Sequence, residues 1–216
     1  MTEPRDMLIA GDLGELDEDA LAAFVSERRW YGSRQHTVTH ARVVAATPIG
    51  EDPPLVVTLV EVGFQSGAHE MYQLMLGLRD SGGSAATTIW SVGDQEIYEA
   101  YDDPRDLQSV LAHIRSSTTL GGEPGLEFRS AVGADHFDPL PGNPRLAGHE
   151  QSNTSVVFDD RMILKCYRRL EPGINPELEV LRFLAAHDFA HTPPLLGWFA
   201  HQGPPLDTTL GMVQHY

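Results

Sequence analysis

The sequence predicts an α+β protein built from two successive small units, and three observations carry that expectation. Short alternating runs of Val, Leu, Ile and Tyr, parted by Gly, Pro, Ser and Asp clusters, fill most of residues 37–91, as in an antiparallel meander. Stretches of helical period are few and separated from those runs. A Gly/Thr/Ser-rich segment at 116–125 divides the chain. With 216 residues, 41% of them hydrophobic and 21% charged, the chain is long and apolar enough to bury a core.

The first helix is expected over 17–29, with Leu16, Ala20, Leu21, Phe24 and Val25 toward one side and acids at its start, where the helix dipole favours them. Gly32 is its expected stop. Strands are expected over 37–45, 55–64, 70–79 and 86–91, separated by turn chemistry at 48–50, 51–54, 65–68 and 81–84. A second helix is expected over 104–116, with Pro104 in its first turn and Leu107, Val110, Leu111 and Ile114 on one face. The boundary falls between 100 and 125, giving units of 1–100 and 101–216. The second unit offers strands at 126–131, 155–158 and 162–167, the last two joined by an Asp159-Asp160 turn. A helix follows over 175–187, capped by Asn175 with Pro176 at its first position, and strands at 197–200 and 211–216 close the chain.

A formal charge of −16 leaves no basic patch for nucleic acid or an anionic membrane surface. One cysteine, Cys166, excludes an internal disulfide framework and a multi-cysteine zinc site. Acids run through the first thirty residues, and no apolar run approaches the ~20 residues of a membrane span. A soluble cytoplasmic protein without a secretory signal is therefore expected. Ten histidines are scattered without a helical metal-binding spacing, so no metal ligand is expected among them.

Of fifteen basic side chains, only Lys165 is a lysine, and it lies within Met162-Ile-Leu-Lys-Cys-Tyr167. A compact ammonium on a flexible stem meets phosphate oxygens end-on, where the planar arginine fork does not. The polar run Gly148-His-Glu-Gln-Ser-Asn-Thr-Ser155 precedes the hairpin that carries Lys165, and Glu177 and Glu179 follow on a helix. A phosphate-covering loop, a strand lysine and a helix carboxylate, in that order, form the layout of the amino-terminal lobe of a protein-kinase-like fold. Glu177 and Glu179, two apart on a helix, point about 160° from one another. Spacing favours Glu177 as the partner of Lys165, with Val180, Leu181 and Leu184 expected on the packed face. Cys166 alternates to the opposite face and is expected in the core.

Arg29-Trp30-Tyr31-Gly32 after an amino-terminal helix resembles the cap domain of the actinobacterial maltokinases. Glu150-Gln-Ser-Asn-Thr-Ser155, Leu164-Lys-Cys-Tyr-Arg-Arg-Leu170, Pro172-Gly-Ile-Asn-Pro-Glu-Leu-Glu179 and Arg182-Phe-Leu184 are similar to their nucleotide-binding subdomain. This resemblance implies an α+β fold of a small antiparallel cap, then the amino-terminal lobe of a protein-kinase-like fold, in a family that shares its fold with the aminoglycoside phosphotransferases. It implies ATP as cofactor, with Gln151, Ser152, Asn153, Thr154 and Ser155 covering the phosphates and Lys165 binding them. It further implies Ile163 against adenine and Gln214 and His215 at the hinge, and it gives weight to Glu179 beside Glu177. The Arg-Trp-Tyr-Gly corner is expected to hold the junction between the cap's helix and its first strand.

The family phosphorylates maltose, and related glucosamine kinases carry the same cap. The complete enzymes work beside or fused to trehalose synthase, so a protein partner of that kind is implied. The catalytic Asp, the Mg²⁺ ligands and most of the sugar site would lie in a carboxy-terminal lobe beyond Tyr216, so no catalytic residue is expected here and the 216 residues alone are expected to be inactive. Two matches to kinase signatures are set aside. His136-Phe-Asp138 to Asn143 precedes Lys165, where a catalytic loop cannot lie, and His187-Asp188-Phe189-Ala190 directly ends a helix. A stand-alone interaction or regulatory module derived from such a kinase, and an unrelated α+β sheet protein with a structural lysine, are the alternative readings.

Overall fold

Residues 2–83, 87–147, 152–187 and 189–216 are described from a computed structural model of the chain. In order they form α1 (Pro4–Ala10), α2 (Glu18–Glu27), β1 (Val38–Glu51), β2 (Pro54–Phe64), β3 (His69–Asp80), β4 (Thr88–Val92), β5 (Gln95–Glu99) and α3 (Gln108–Ser116). Then come β6 (Thr119–Gly121), β7 (Gly125–Ser130), β8 (Pro144–Leu146), β9 (Asn153–Phe158), β10 (Met162–Tyr167), β11 (Arg169–Leu170), α4 (Pro176–Ala186), β12 (Leu195–Gln202) and β13 (Thr208–His215). The α+β expectation holds. A first antiparallel sheet runs β1-β2-β3-β5-β4 and a second runs β6-β7-β12-β13-β10-β9-β8. The short β11, from the second half of the chain, pairs with β3 and joins the first sheet.

The first sheet is buried on both faces, and β2 shows this in its sequence. Val56, Val60 and Val62 enter one core with α1 and α2, while Leu55, Val57 and Leu59 enter a second core. That second core holds Val110, Leu111 and Ile114 of α3 and the inner faces of β9, β10, β12 and β13, through Val156, Leu164, Cys166, Phe199 and Val213. The layers therefore run helices, first sheet, shared core with α3, second sheet, with α4 on the far side. Two-sided burial explains why β2 reads as an almost continuous apolar run. Gly211 lies opposite Cys166 and Phe199 in this core, where a Cβ would come within 2.5 Å of the Phe199 ring. Its bare Cα leaves room for Phe199 to stack on Phe128.

Local signals explain most element ends. Asp17 caps α2 by accepting from the amides of Asp19 and Ala20. That helix ends at Arg28 in extended backbone, so Gly32 is not its stop. The expected turn at 48–50 is strand, because β1 absorbs Pro48 and Gly50 through a bulge and runs on to Glu51. Pro104 does not start a helix; a turn holds it, and α3 begins at Gln108. The first residue of the strand expected over 86–91, Ala86, lies outside the described residues; β4 covers Thr88–Val92. β5 was not expected, since Gln95-Glu-Ile-Tyr-Glu99 has only two apolar residues. α1, β6, β8 and β11 were likewise unforeseen.

The turn between β9 and β10 falls where expected. Asp159 and Asp160 both take φ near +51°, and Arg161 N donates to Phe158 O at 2.9 Å. Glycine would take this backbone with less strain, but the Asp159 carboxylate accepts from Gly142 N and Asn143 Nδ2 and pins the preceding segment. Asn143, the last residue of the first set-aside signature, is used there, and Phe137 of the same run is wholly buried. Asp188, of the second, lies outside the described residues.

Candidate functional site

Lys165 sits on the face of β10 turned away from the shared core. Its neighbours Leu164 and Cys166 are wholly buried on the other side, as the period of two requires. Lys165 Nζ donates to Glu177 Oε1 at 2.5 Å, and 18% of the lysine side chain and 40% of the glutamate side chain remain exposed. Glu179 is exposed on α4. Glu177 is thus the residue that meets Lys165, as spacing favoured. Part of the supporting reason fails, however. Val180 is exposed, and the buried side of α4 is Leu178 with Leu181, packed on Tyr167, Leu195, Met212 and Trp198.

Glu177 is held by the start of its helix. Asn175 caps α4 by accepting from Glu177 N, and Asn175 N donates to Thr209 Oγ1 on β13 at 3.0 Å. Gly173, at φ +86°, donates to Asp207 O and accepts from Thr209 N, stitching the approach to α4 onto the same strand. The carboxylate at the helix amino terminus lies in the favourable field of the helix dipole.

Pairing between β9 and β10 sorts the expected phosphate-covering residues. Ser155 lies across from Lys165 on its face, and Asn153 is across from Tyr167 two positions along. Thr154 is across from Cys166 on the opposite face, and Ser152 is exposed just before the strand. Asn153 to Ser155 are therefore strand rather than loop. Gln151 lies outside the described residues. Ile163 shares the Lys165 face, between Val157 and Gln214. His215, at the end of β13, is exposed, and its amide donates to Pro194 O, just before β12, at 3.0 Å, so that donor is already used.

Sequence reasoning overlooked what lies just beyond β10. Arg168 is wholly buried, and its Nη2 donates to Glu99 Oε2 at 2.6 Å. Its guanidinium carbon lies 4.4 Å from the Trp30 ring centre and 4.5 Å from that of Tyr101. Burial pushes the Glu99 carboxyl above its ordinary range, against the pull of Arg168. Next to it, Glu70 accepts from Ser33 Oγ and Tyr72 Oη and pairs with Arg169. Gln73 reaches across the shared core to donate to the carbonyls of Tyr167 and Leu210. The signal was available: alternation from Leu164 through Cys166 points Arg168 toward the core.

Residues 24–106 match the maltokinase N-terminal cap domain family. The matched residues take in the end of α2 and the strands β1 to β5 of the first sheet. Trp30 and Tyr31 pack on Tyr72, and Trp30 also lies against Arg168, the residue between β10 and β11. Among solved structures, a glucosamine kinase (crystal form A) superposes on 100% of this chain and 42% of its own, with TM-score 0.61 and 18% identity. A glucosamine kinase in complex with glucosamine, ADP and inorganic phosphate covers 90% of this chain and 40% of its own, with TM-score 0.55 and 16% identity. Crystal form B covers the same shares at TM-score 0.54 and 17% identity. At these identities the likeness shows the fold: the first and second sheets together have the architecture of part of these kinases. The chain spans about two fifths of their length. Among the described residues no helix is long and apolar enough to cross a membrane, and no three His, Cys, Asp or Glu side chains cluster as a metal site.

Proposed function

We propose that this chain supplies the cap (1–100) and the nucleotide-phosphate site, on a kinase-like lobe (101–216), of an ATP-dependent sugar kinase. The observation that carries the reading is the Lys165–Glu177 pair: a single lysine, on an open sheet face, aimed by a helix carboxylate 2.5 Å away. A lysine so held meets the α- and β-phosphate oxygens of ATP as a point charge. Ser155 stands across from it on the same face, and Ile163 and Gln214 continue that face toward the end of β13. In this reading Ile163 packs on the adenine and the end of β13, at Gln214 and His215, forms the hinge.

The residues present suit the nucleotide but not its metal. Bound Mg²⁺ would neutralise charge on the transferring phosphoryl group, and we place its ligands, the acceptor-activating Asp and most of the sugar site in the further length that such kinases possess. The sugar is a hexose-based acceptor, with maltose and glucosamine the two candidates that the cap and the structural likeness suggest. On this reading the 216 residues alone bind nucleotide and transfer no phosphoryl group.

Calorimetric titration with ADP tests the reading directly. The unaltered chain is expected to bind, and Lys165→Ala to weaken binding by about tenfold or more, the scale of a charge-assisted contact. Equal affinity in both would sink the assignment, and sugar-dependent ADP release by the unaltered chain would overturn the claim of inactivity. The interaction-module reading retains one observation in its favour. Ile174, Val180 and Phe183 stay exposed on and just before α4, an apolar surface that a lone globular unit rarely presents.

A further inference from the structure

Among the described residues Arg168 is the largest wholly buried side chain, and its hydrogen-bond and ring partners lie in the cap and its junction and beside the strand of Lys165. Its guanidinium meets Glu99 at the end of β5, Trp30 at the cap corner and Tyr101 at the junction. Glu99 is fixed in turn, its Oε1 accepting from Met75 N and Tyr101 N. The backbone of Arg168 bonds in both directions. Its amide donates to Ser152 O at 3.3 Å, where the polar segment enters β9, and its carbonyl accepts from Gln73 N of β3 at 2.8 Å. Nε and Nη1 have no hydrogen-bond partner among the described residues, so the two ring faces are what balances that part of the buried charge. A shift of this one residue carries with it both Ser152 and the end of β10, two residues past Lys165.

We propose that Arg168 is a positioning residue, through which the cap sets the order of the 152–155 segment and of Lys165, so that the cap tunes nucleotide affinity from the opposite face of the sheet. The proposal rests on the nucleotide reading above only for its affinity clause. Its mechanical content is that two stretches, 152–158 and 162–168, loosen together when the cap releases the guanidinium, while the remainder of the second sheet does not.

Trp30 is the contact to remove, because it is partly exposed and its loss leaves the Arg168–Glu99 pair in place. In Trp30→Leu, amide hydrogen exchange followed by mass spectrometry is expected to rise about tenfold in 152–158 and 162–168, the scale of a desolvated ring–cation contact. Exchange in 108–116 and 195–202 is expected to hold at the unaltered rate. Trp30→Phe, which keeps a ring face, is expected to restore the original rates, a rescue that loss of bulk alone does not explain. ADP affinity is expected to fall about threefold to tenfold in Trp30→Leu and to recover in Trp30→Phe. Unchanged exchange at 152–168, or a rise spread evenly over the whole chain, would overturn the positioning role. If the unaltered chain takes up no ADP, the nucleotide reading falls, and the localised exchange response still decides whether the cap governs this segment.

Discussion

Two ion pairs flank the end of β10, three residues apart, and they behave oppositely. Lys165–Glu177 lies on the outer face, partly exposed, with water free to screen it. Arg168–Glu99 lies on the inner face, 0% and 1% exposed, roofed by Trp30 and Tyr101. An exposed pair gains about 0–1 kcal/mol, so it can open for an incoming anion at little cost. A buried pair holds its partners, because removing either one strands a charge, at about 3–5 kcal/mol. The choice of residue follows the demand: the open site has the compact ammonium, and the closed site has the planar fork that stacks between rings. β10 and the residue just past it thus carry a partly exposed cation on one side and a buried, anchored cation on the other.

The largest effect expected from this contrast concerns Cys166, which lies between the two cations and faces the closed side. Burial pushes its thiol up to about 12 from an ordinary 9.0, so the reactive thiolate is depleted on the order of a thousandfold even before access is considered. Native protein at pH 8 is expected to resist disulfide-exchange reagents, and denatured protein to react at once. The sign for stability follows from linkage: above pH 9 the unfolded thiol loses its proton while the folded one keeps it. Stability therefore falls with rising pH, by about 1.4 kcal/mol per unit from this group alone. Denaturant melts between pH 8 and 10 should show a shallower fall in Cys166→Ala; rapid native labelling would break the picture of a closed inner face.

Next in size is Arg168→Met, expected to cost about 3–5 kcal/mol in urea unfolding by leaving Glu99 buried and unpaired. Pairing that change with Glu99→Gln is expected to recover part of the loss, since no charge is then stranded. A double variant no more stable than the single one would mean that ring packing, rather than charge, dominates the site. Lys165→Ala sharpens the comparison from the outer side. It is expected to change stability by less than about 1 kcal/mol while lowering ADP affinity as argued above. A loss as large as that of Arg168→Met would erase the distinction between the two pairs.

The outer site was more legible in sequence than the inner one, and the reason is physical. Lys165, its strand and the Asn175-capped helix follow from local signals: one lysine among arginines, a period of two and a cap. The helical angle implied that only one of Glu177 and Glu179 could meet Lys165. The expectation that Asn153 and Thr154 form a loop failed because polar residues at a strand start resemble a loop until their partner strand is known. Val180 was expected inward because three apolar residues lay at helical spacing, yet only Leu178 and Leu181 have a sheet to meet. The Arg168–Glu99 contact joins residues sixty-nine apart in sequence, and nothing local in Gln95-Glu-Ile-Tyr-Glu99 announces a partner. β11 was missed for the same reason: a two-residue strand exists only because β3 offers an edge.

The smallest effects separate the two acids of α4. Glu177 and Glu179 share a helix start and a charge, so dipole interactions treat them almost alike, at about 0.3–1 kcal/mol each at most. What differs is direction, since only Glu177 reaches Lys165 and is itself held through Asn175 to β13. Glu179→Ala is expected to alter neither ADP affinity nor thermal midpoint beyond measurement error. Glu177→Ala is expected to leave stability within about 1 kcal/mol and yet weaken ADP binding severalfold, because Lys165 then loses the group that aims it. The pair of titrations needs no assumption about the sugar. If the two substitutions change binding equally, direction does not separate the carboxylates, and the aiming role assigned to Glu177 is wrong.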